Sequence, residues 1–124
     1  MLYTVREASE KLGIPSSTIR FYDKKGLLPF VERSPNGVRV FTESDIAHLQ
    51  DLLTLKEAGF SIKEISEYAK LETEGTQSLL TRSEMLKRRC VEMESEITRL
   101  QDILEMLREQ YQRCTAALEK QSDL

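Results

Sequence analysis

The chain contains no tryptophan, one histidine, two cysteines and three prolines. With four Phe and four Tyr as its only aromatics, it offers no obvious large aromatic-lined ligand cavity. Cys90 and Cys114 stand 24 positions apart, which is neither a disulfide framework nor a zinc-site spacing. A reducing, cytoplasmic setting is the simplest expectation. No stretch approaches the ~18 consecutive apolar residues that a membrane span needs. Met1 to Thr4 run directly into polar helical sequence, without the charged-then-apolar pattern of a secretory leader. There is no nucleophile–base pair, no glycine-rich phosphate loop and no metal-ligand cluster, so an enzyme is not expected, nor a cofactor or metal. A chain of 124 residues allows one compact domain and an appendage.

Charge is present but unevenly placed. The formal net charge is −3, yet residues 1–42 carry seven Lys or Arg against four acids. Residues 71–124 carry eight against eleven. A phosphate-binding surface needs local rather than global positive charge, and only the first third has it.

Helix signals are dense in that first third. Thr4-Val5-Arg6-Glu7 reads as a capping box, Val5, Ala8 and Leu12 share one face, and Gly13 stops the helix. Pro15 opens a second helix running to about Lys25, with Ile19 turned inward. Two short helices joined by three residues that include Gly form a helix-turn-helix pattern. Residues 29–41 lose the helical period. Asn36-Gly37 between two short β-prone runs predicts a hairpin in which both turn residues take positive φ. Thr42 then caps a third helix carrying Ile46, Leu49, Leu52 and Leu53. Ser61-Ile62-Lys63-Glu64 opens a fourth, through Ile65, Tyr68 and Leu71. The lone His48 falls on the third helix as a surface or packing residue. Residues 72–76 are the only linker-like break.

From about Gln77 to Lys120 there is neither Gly nor Pro, and apolar residues recur every seven. Leu79, Leu86, Met93, Leu100, Leu107 and Cys114 occupy heptad position d. Ser83, Cys90, Ile97, Leu104, Tyr111 and Leu118 occupy position a. A helix of that length spans ~66 Å and needs a partner helix to cover its seam, so a homodimer is expected. One antiparallel register sets Cys90 opposite Cys114, Met93 opposite Tyr111, Ile97 opposite Leu107 and Leu100 opposite Leu104. A one-heptad slip is also apolar throughout except for Ser83 facing Cys114. Both registers are open at this level.

This order of elements resembles the MerR family of transcription regulators. The residues that carry the resemblance are Tyr3-Thr4-Val5, Gly13-Ile14-Pro15, Thr18-Ile19-Arg20-Phe21-Tyr22-Asp23 and Gly26-Leu27-Leu28-Pro29. Asn36-Gly37-Val38-Arg39-Val40-Phe41 and Lys56-Glu57-Ala58-Gly59-Phe60-Ser61-Ile62 complete it. The likeness is detailed over about residues 2–70 and architectural beyond them. It implies a mostly α fold: a winged helix-turn-helix head over 1–71, a linker over 72–76, a long antiparallel coiled-coil dimerisation helix over 77–120 and a tail over 121–124. It implies a homodimer that binds a palindromic promoter operator and distorts the DNA, so that RNA polymerase can engage. The antiparallel coil would set the spacing of the two heads.

For the DNA contacts the resemblance points to Ser16, Ser17, Thr18, Arg20, Phe21 and Tyr22 at the second helix. It points also to Asn36, Gly37, Arg39 and Phe41 in the wing, and to Lys56. Short polar side chains at the start of a recognition helix suit close approach to base edges, and an arginine reaches a guanine or a phosphate. Metal-sensing relatives place cysteines at the start of the long helix and in a loop after it; here the first position is about Ser78-Leu79. Thr54 stands where thiol- or aldehyde-responsive relatives carry cysteine. No sensing pattern is complete. Cys90 and Cys114 fit the seam as small hydrophobes, and the register that pairs them also allows an inter-subunit disulfide. The alternative of another class is a coiled-coil interaction adaptor with a vestigial DNA-binding head.

Overall fold

The computed structural model describes residues 1–122. It divides into two compact units, Met1–Ser83 and one beginning at Glu84.

The first unit starts with α1 (Val5–Leu12). Its N-terminus is a reciprocal cap: the Glu7 N–H donates to Thr4 Oγ1, and the Thr4 N–H donates to Glu7 Oε1, each at 3.1 Å. Gly13 closes it at φ 68°, a left-handed conformation that side-chain-bearing residues avoid. Pro15 caps α2 (Ser16–Lys24), the second arm of the helix-turn-helix. Ile19 and Tyr22, one turn apart on α2, are both buried.

Strands β1 (Glu32–Arg33) and β2 (Arg39–Val40) pair antiparallel, Glu32 opposite Val40 and Arg33 opposite Arg39. The turn between them differs from the expected one. Gly37 alone takes positive φ, at 79°, and no non-glycine residue does among those described. The Gly37 N–H donates to Ser34 O at 2.8 Å, and the Ser34 N–H donates to Val38 O at 2.7 Å. This is a three-residue loop: a turn over Ser34–Gly37 followed by a glycine bulge. The reason is Pro35, whose ring holds φ negative and suits the second position of an ordinary turn. Beyond β2, Phe41 and Tyr3 exchange two backbone hydrogen bonds of 2.8 Å, tying the wing's return strand to the chain's start.

Helix α3 (Glu43–Glu57) is capped by Thr42 and Asp45 in the same reciprocal way as α1. Helix α4 (Ile62–Thr73) is capped by Ser61 and Glu64. The Ser61 N–H, donating to Glu64 Oε1 at 2.9 Å, holds the Glu64 pKa below the usual carboxylate value. Ser61→Ala is expected to cost about 1 kcal/mol of stability, read as a lower urea midpoint at unchanged slope. Leu27, Leu28, Phe41, Leu49, Leu52, Ile65 and Ala69 join Ile19 and Tyr22 in one core. His48 packs edge-on to Phe30, with ring centroids 5.1 Å apart.

The segment read as a linker at 72–76 begins inside α4, and a 3₁₀ turn follows at Gly75–Ser78. Ser78 is buried, its hydroxyl within reach of Leu71 O and Gly75 O while it accepts from Arg82 Nε at 2.9 Å. Its side chain thus fastens the end of α4 to the first turn of α5 (Leu79–Ser122).

In the second unit α5 is one uninterrupted helix, and none of its residues is buried. Met93, Ile97, Leu100, Leu104, Leu107, Tyr111 and Leu118 are all exposed on the single chain, whereas Leu86 is partly covered. Of the tail expected at 121–124, Gln121 and Ser122 end α5, and 123 and 124 lie outside the described residues. Among the described residues, no helix is long and apolar enough to cross a membrane.

Candidate nucleic-acid interface

The outer face of α2 follows from its period. With Ile19 and Tyr22 turned to the core, Ser17, Arg20, Phe21 and Lys24 fall on the opposite side at i, i+3, i+4 and i+7, and all four are exposed. Arg20 makes no hydrogen bond or ion pair with the described residues, so its guanidinium is available to a ligand. Phe21 is 41% exposed, and Lys25 Nζ lies 5.7 Å from its ring centre. Thr18 is half-buried, as is Ser16, whose hydroxyl lies 3.1 Å from that of Ser9 on α1. Ser17 is therefore the fully presented member of the Ser16-Ser17-Thr18 run.

The wing is not loosely attached. Arg39 Nη2 lies 2.7 Å from Asp23 Oδ1 on α2, and Arg39 Nη1 donates to Val31 O. Arg33 Nη2 stands 4.0 Å from the other oxygen of Asp23 and Arg33 Nη1 donates to Gly37 O at 2.8 Å. One carboxylate on the second helix thus holds two arginines of the hairpin, fixing the wing against that helix. Arg39 is a partly buried clasp rather than a solvated hairpin charge. At the wing tip Asn36 and Gly37 are exposed, and so is Lys56 near the end of α3.

Two of the expected contact residues point elsewhere. Tyr22 is fully buried, and its hydroxyl has no hydrogen-bond partner among the described residues. Burial raises its pKa, and the negative charge of Glu57 adds to the effect. Phe41 is also fully buried. Neither ring is presented at the surface that Arg20 occupies.

Three features escaped the sequence reading. Asp23 is the first; its signal was an acid inside a basic segment. Lys24 is the second, legible as the next turn after Arg20. The third is a set built on Tyr3: its hydroxyl donates to Glu43 Oε1 and accepts from Lys11 Nζ at 3.1 Å. Lys11 also lies 3.5 Å from Glu43. The bond from Tyr3, with the charge of Lys11, lowers the Glu43 pKa, and the bond to Tyr3 raises that of Lys11. This set ties α1 to α3 beside the Tyr3–Phe41 bridge. Among the described residues, no three or more His, Cys, Asp or Glu side chains are grouped to hold a metal ion.

Comparison with known proteins places this geometry in context. Residues 3–72 match the family described as "MerR HTH family regulatory protein", and residues 44–110 that described as "MerR, DNA binding". An uncharacterized HTH-type transcriptional regulator of Haemophilus influenzae is 37% identical over 107 residues, covering 86% of this chain and 79% of that protein. The HTH-type regulator YyaN of Bacillus subtilis is 44% identical over 70 residues. That match covers 56% of this chain and only 51% of YyaN. Among solved structures, HiNmlR, "a MerR family regulator lacking the sensor domain, bound to promoter DNA", superposes with a TM-score of 0.79 at 36% identity. It covers 94% of each chain.

Proposed function

The chain belongs to the MerR HTH family of regulatory proteins, and on that footing we propose that it binds a palindromic promoter operator as a homodimer and distorts the duplex between the half-sites. It is a DNA-binding transcription regulator and not an enzyme. The observation that carries the fuller reading is the exposed stripe Ser17, Arg20, Phe21 and Lys24 on α2.

In this reading α2 enters the major groove with Ser17 and Arg20 toward the base edges, Ser16 and Thr18 beside them. Lys24 and Lys56 meet phosphates, which supply affinity without sequence information. The hairpin, held to α2 by Asp23, brings Asn36 and the Gly37 backbone to the neighbouring strand. Tyr22 and Phe41 shape these elements from within, and Arg39 serves the interface through its clasp. Two recognition helices held at a fixed separation favour a duplex whose half-sites lie at that separation. Binding energy is thereby spent on bending and untwisting DNA at base pairs that no side chain touches. RNA polymerase, engaging the same promoter, is the partner for which the distortion matters.

Arg20→Ala is expected to weaken binding to the cognate promoter about tenfold or more, measured by gel shift at fixed salt. Binding to unrelated DNA should fall much less. Equal loss on both DNAs would make Arg20 a phosphate contact. No loss on either would remove α2 from the interface.

A further inference from the structure

We propose that Arg33 of the wing is a DNA-phosphate contact, held by Asp23 on the free protein and passed to the nucleic acid on binding, while Arg39 stays with Asp23. The inference rests on the DNA-binding reading above and adds to it a residue and a division of roles within the hairpin.

The hairpin carries a charge imbalance of its own making. Arg33 and Arg39 stand directly opposite each other in the β1–β2 pair, so their side chains share one face, where like charges repel. Strand alternation turns Glu32, the hairpin's own acid, to the other face. The compensating charge comes instead from α2. Asp23 Oδ1 lies 2.7 Å from Arg39 Nη2, and Asp23 Oδ2 lies 4.0 Å from Arg33 Nη2. One carboxylate thus faces two guanidiniums, and one positive charge of the cluster is left over.

The two arginines do not hold Asp23 equally. The Arg39 side chain is 23% exposed, and its other terminal nitrogen donates to Val31 O. The Arg33 side chain is 55% exposed, and its approach to Asp23 is too long for a hydrogen bond. Arg33 Nη1 donates to Gly37 O at 2.8 Å. The remaining N–H groups of its fork meet no acceptor at hydrogen-bond distance among the described residues. An exposed ion pair of this kind contributes little to stability. Arg33 can therefore leave Asp23 at small cost, and its departure leaves Asp23 matched one to one with Arg39. No buried charge is stranded.

The ligand that fits is a phosphate of the DNA backbone. Asp23 lies one turn after Arg20 on α2, and helix residues at that spacing are neighbours, about 5–6 Å apart at Cβ. Lys24 continues the same exposed stripe. Arg33, standing beside Asp23, carries this cationic surface from α2 onto the wing. A phosphodiester bears one negative charge on two free oxygens, which match the guanidinium fork. The bond from Arg33 to the Gly37 carbonyl orients that fork without consuming it. Such a contact supplies affinity and orientation but reads no base.

The test compares wild type, Arg33→Ala and Arg33→Lys on two duplexes of equal length: the region upstream of the chain's own coding sequence, and an unrelated sequence. Each is titrated by fluorescence anisotropy across a series of salt concentrations. Arg33→Ala is expected to weaken binding by a similar factor on both duplexes. Its slope of log affinity against log salt should be shallower by about 0.9 for each half-site occupied. For a dimer, a fourfold drop in salt should then widen the gap between wild type and Arg33→Ala about tenfold. Arg33→Lys keeps the charge and should keep the wild-type slope. The urea midpoint of Arg33→Ala should stay close to that of wild type. Weaker binding with an unchanged slope would overturn the proposal and make Arg33 a brace for the loop through Gly37. Unchanged affinity and slope would overturn it outright, and a loss confined to the upstream duplex would make Arg33 a base contact instead. Wild type that binds both duplexes alike would overturn the operator reading, and the slopes on either duplex would still decide Arg33.

Discussion

Leu100→Asp is expected to raise the dimer dissociation constant by at least three orders of magnitude and to abolish operator binding at concentrations where wild type saturates it. Leu100 is 58% exposed on the single chain, so nothing within the protomer needs it. The proposed dimer would bury it twice, once in each half of the coil. Truncating a packed leucine costs about 2–5 kcal/mol, and a carboxylate buried in its place without a partner costs more. At ~1.4 kcal/mol per tenfold, even about 2 kcal/mol at each of two sites comes close to a thousandfold, and the buried carboxylate carries it past that. Light scattering across a dilution series reads the dissociation, and gel shift reads the loss of a two-headed ligand's avidity. Val91→Asp is the control. Val91 is similarly exposed, at 55%, but lies outside the a and d positions, and it should leave the dimer unchanged. If both substitutions behave alike, the seam is not the interface. The thermal transition of the head should be the same in all three proteins, since no residue of α5 is buried on the single chain.

What was legible in the sequence was what is local. Each of the three capping boxes lies within four residues, and all three formed: Thr4 with Glu7, Thr42 with Asp45 and Ser61 with Glu64. The heptads of α5 are equally local, since a repeat can be counted without knowing what it packs against. The hairpin was visible from Asn36-Gly37. Its turn type was not, because Pro35 one residue earlier moved the positive φ onto Gly37 alone. Tyr22 could have been assigned to the core from its place one turn after Ile19, and Phe21 to the surface by the same count. The resemblance named both rings among the DNA contacts; the helix period separates them. The clasp of Asp23 on Arg39 could not be found this way. It joins residues 16 apart across a loop, and no periodicity connects a helix terminus to a hairpin. An acid within a basic segment was its only trace, and that trace does not name a partner. Of the side chains named for the interface, Ser17, Arg20, Phe21 and Lys56 are exposed, whereas Tyr22 and Phe41 are buried within the head.

Phe41 separates these two kinds of role most sharply, and its substitution carries the second large expected effect. The ring is fully buried, while its backbone exchanges two hydrogen bonds with Tyr3. Phe41→Ala should therefore destabilise the head by about 3–5 kcal/mol, the usual cost of emptying an aromatic site in a packed core. Against a total of about 5–15 kcal/mol for a domain, that is enough to bring unfolding near assay temperature. DNA binding would be lost with the fold. That result alone does not distinguish a core residue from a contact, and Phe41→Leu does. Leucine keeps most of the apolar volume and neither side chain carries a hydroxyl. A core role predicts a loss of about 1.5 kcal/mol or less, with operator affinity measured below the melting transition close to wild type. A direct DNA contact predicts the reverse, unchanged melting and weakened binding. Phe41→Tyr sharpens the comparison, because a phenol oxygen placed in this core would need a partner. Tyr22 already holds a buried hydroxyl there without one, and a second would cost about 1–3 kcal/mol. A fall in melting temperature for Phe41→Tyr, with no gain in affinity, would place the ring's contribution wholly inside the head. A gain in affinity instead would mean that the wing opens on DNA far enough to present this position to the backbone.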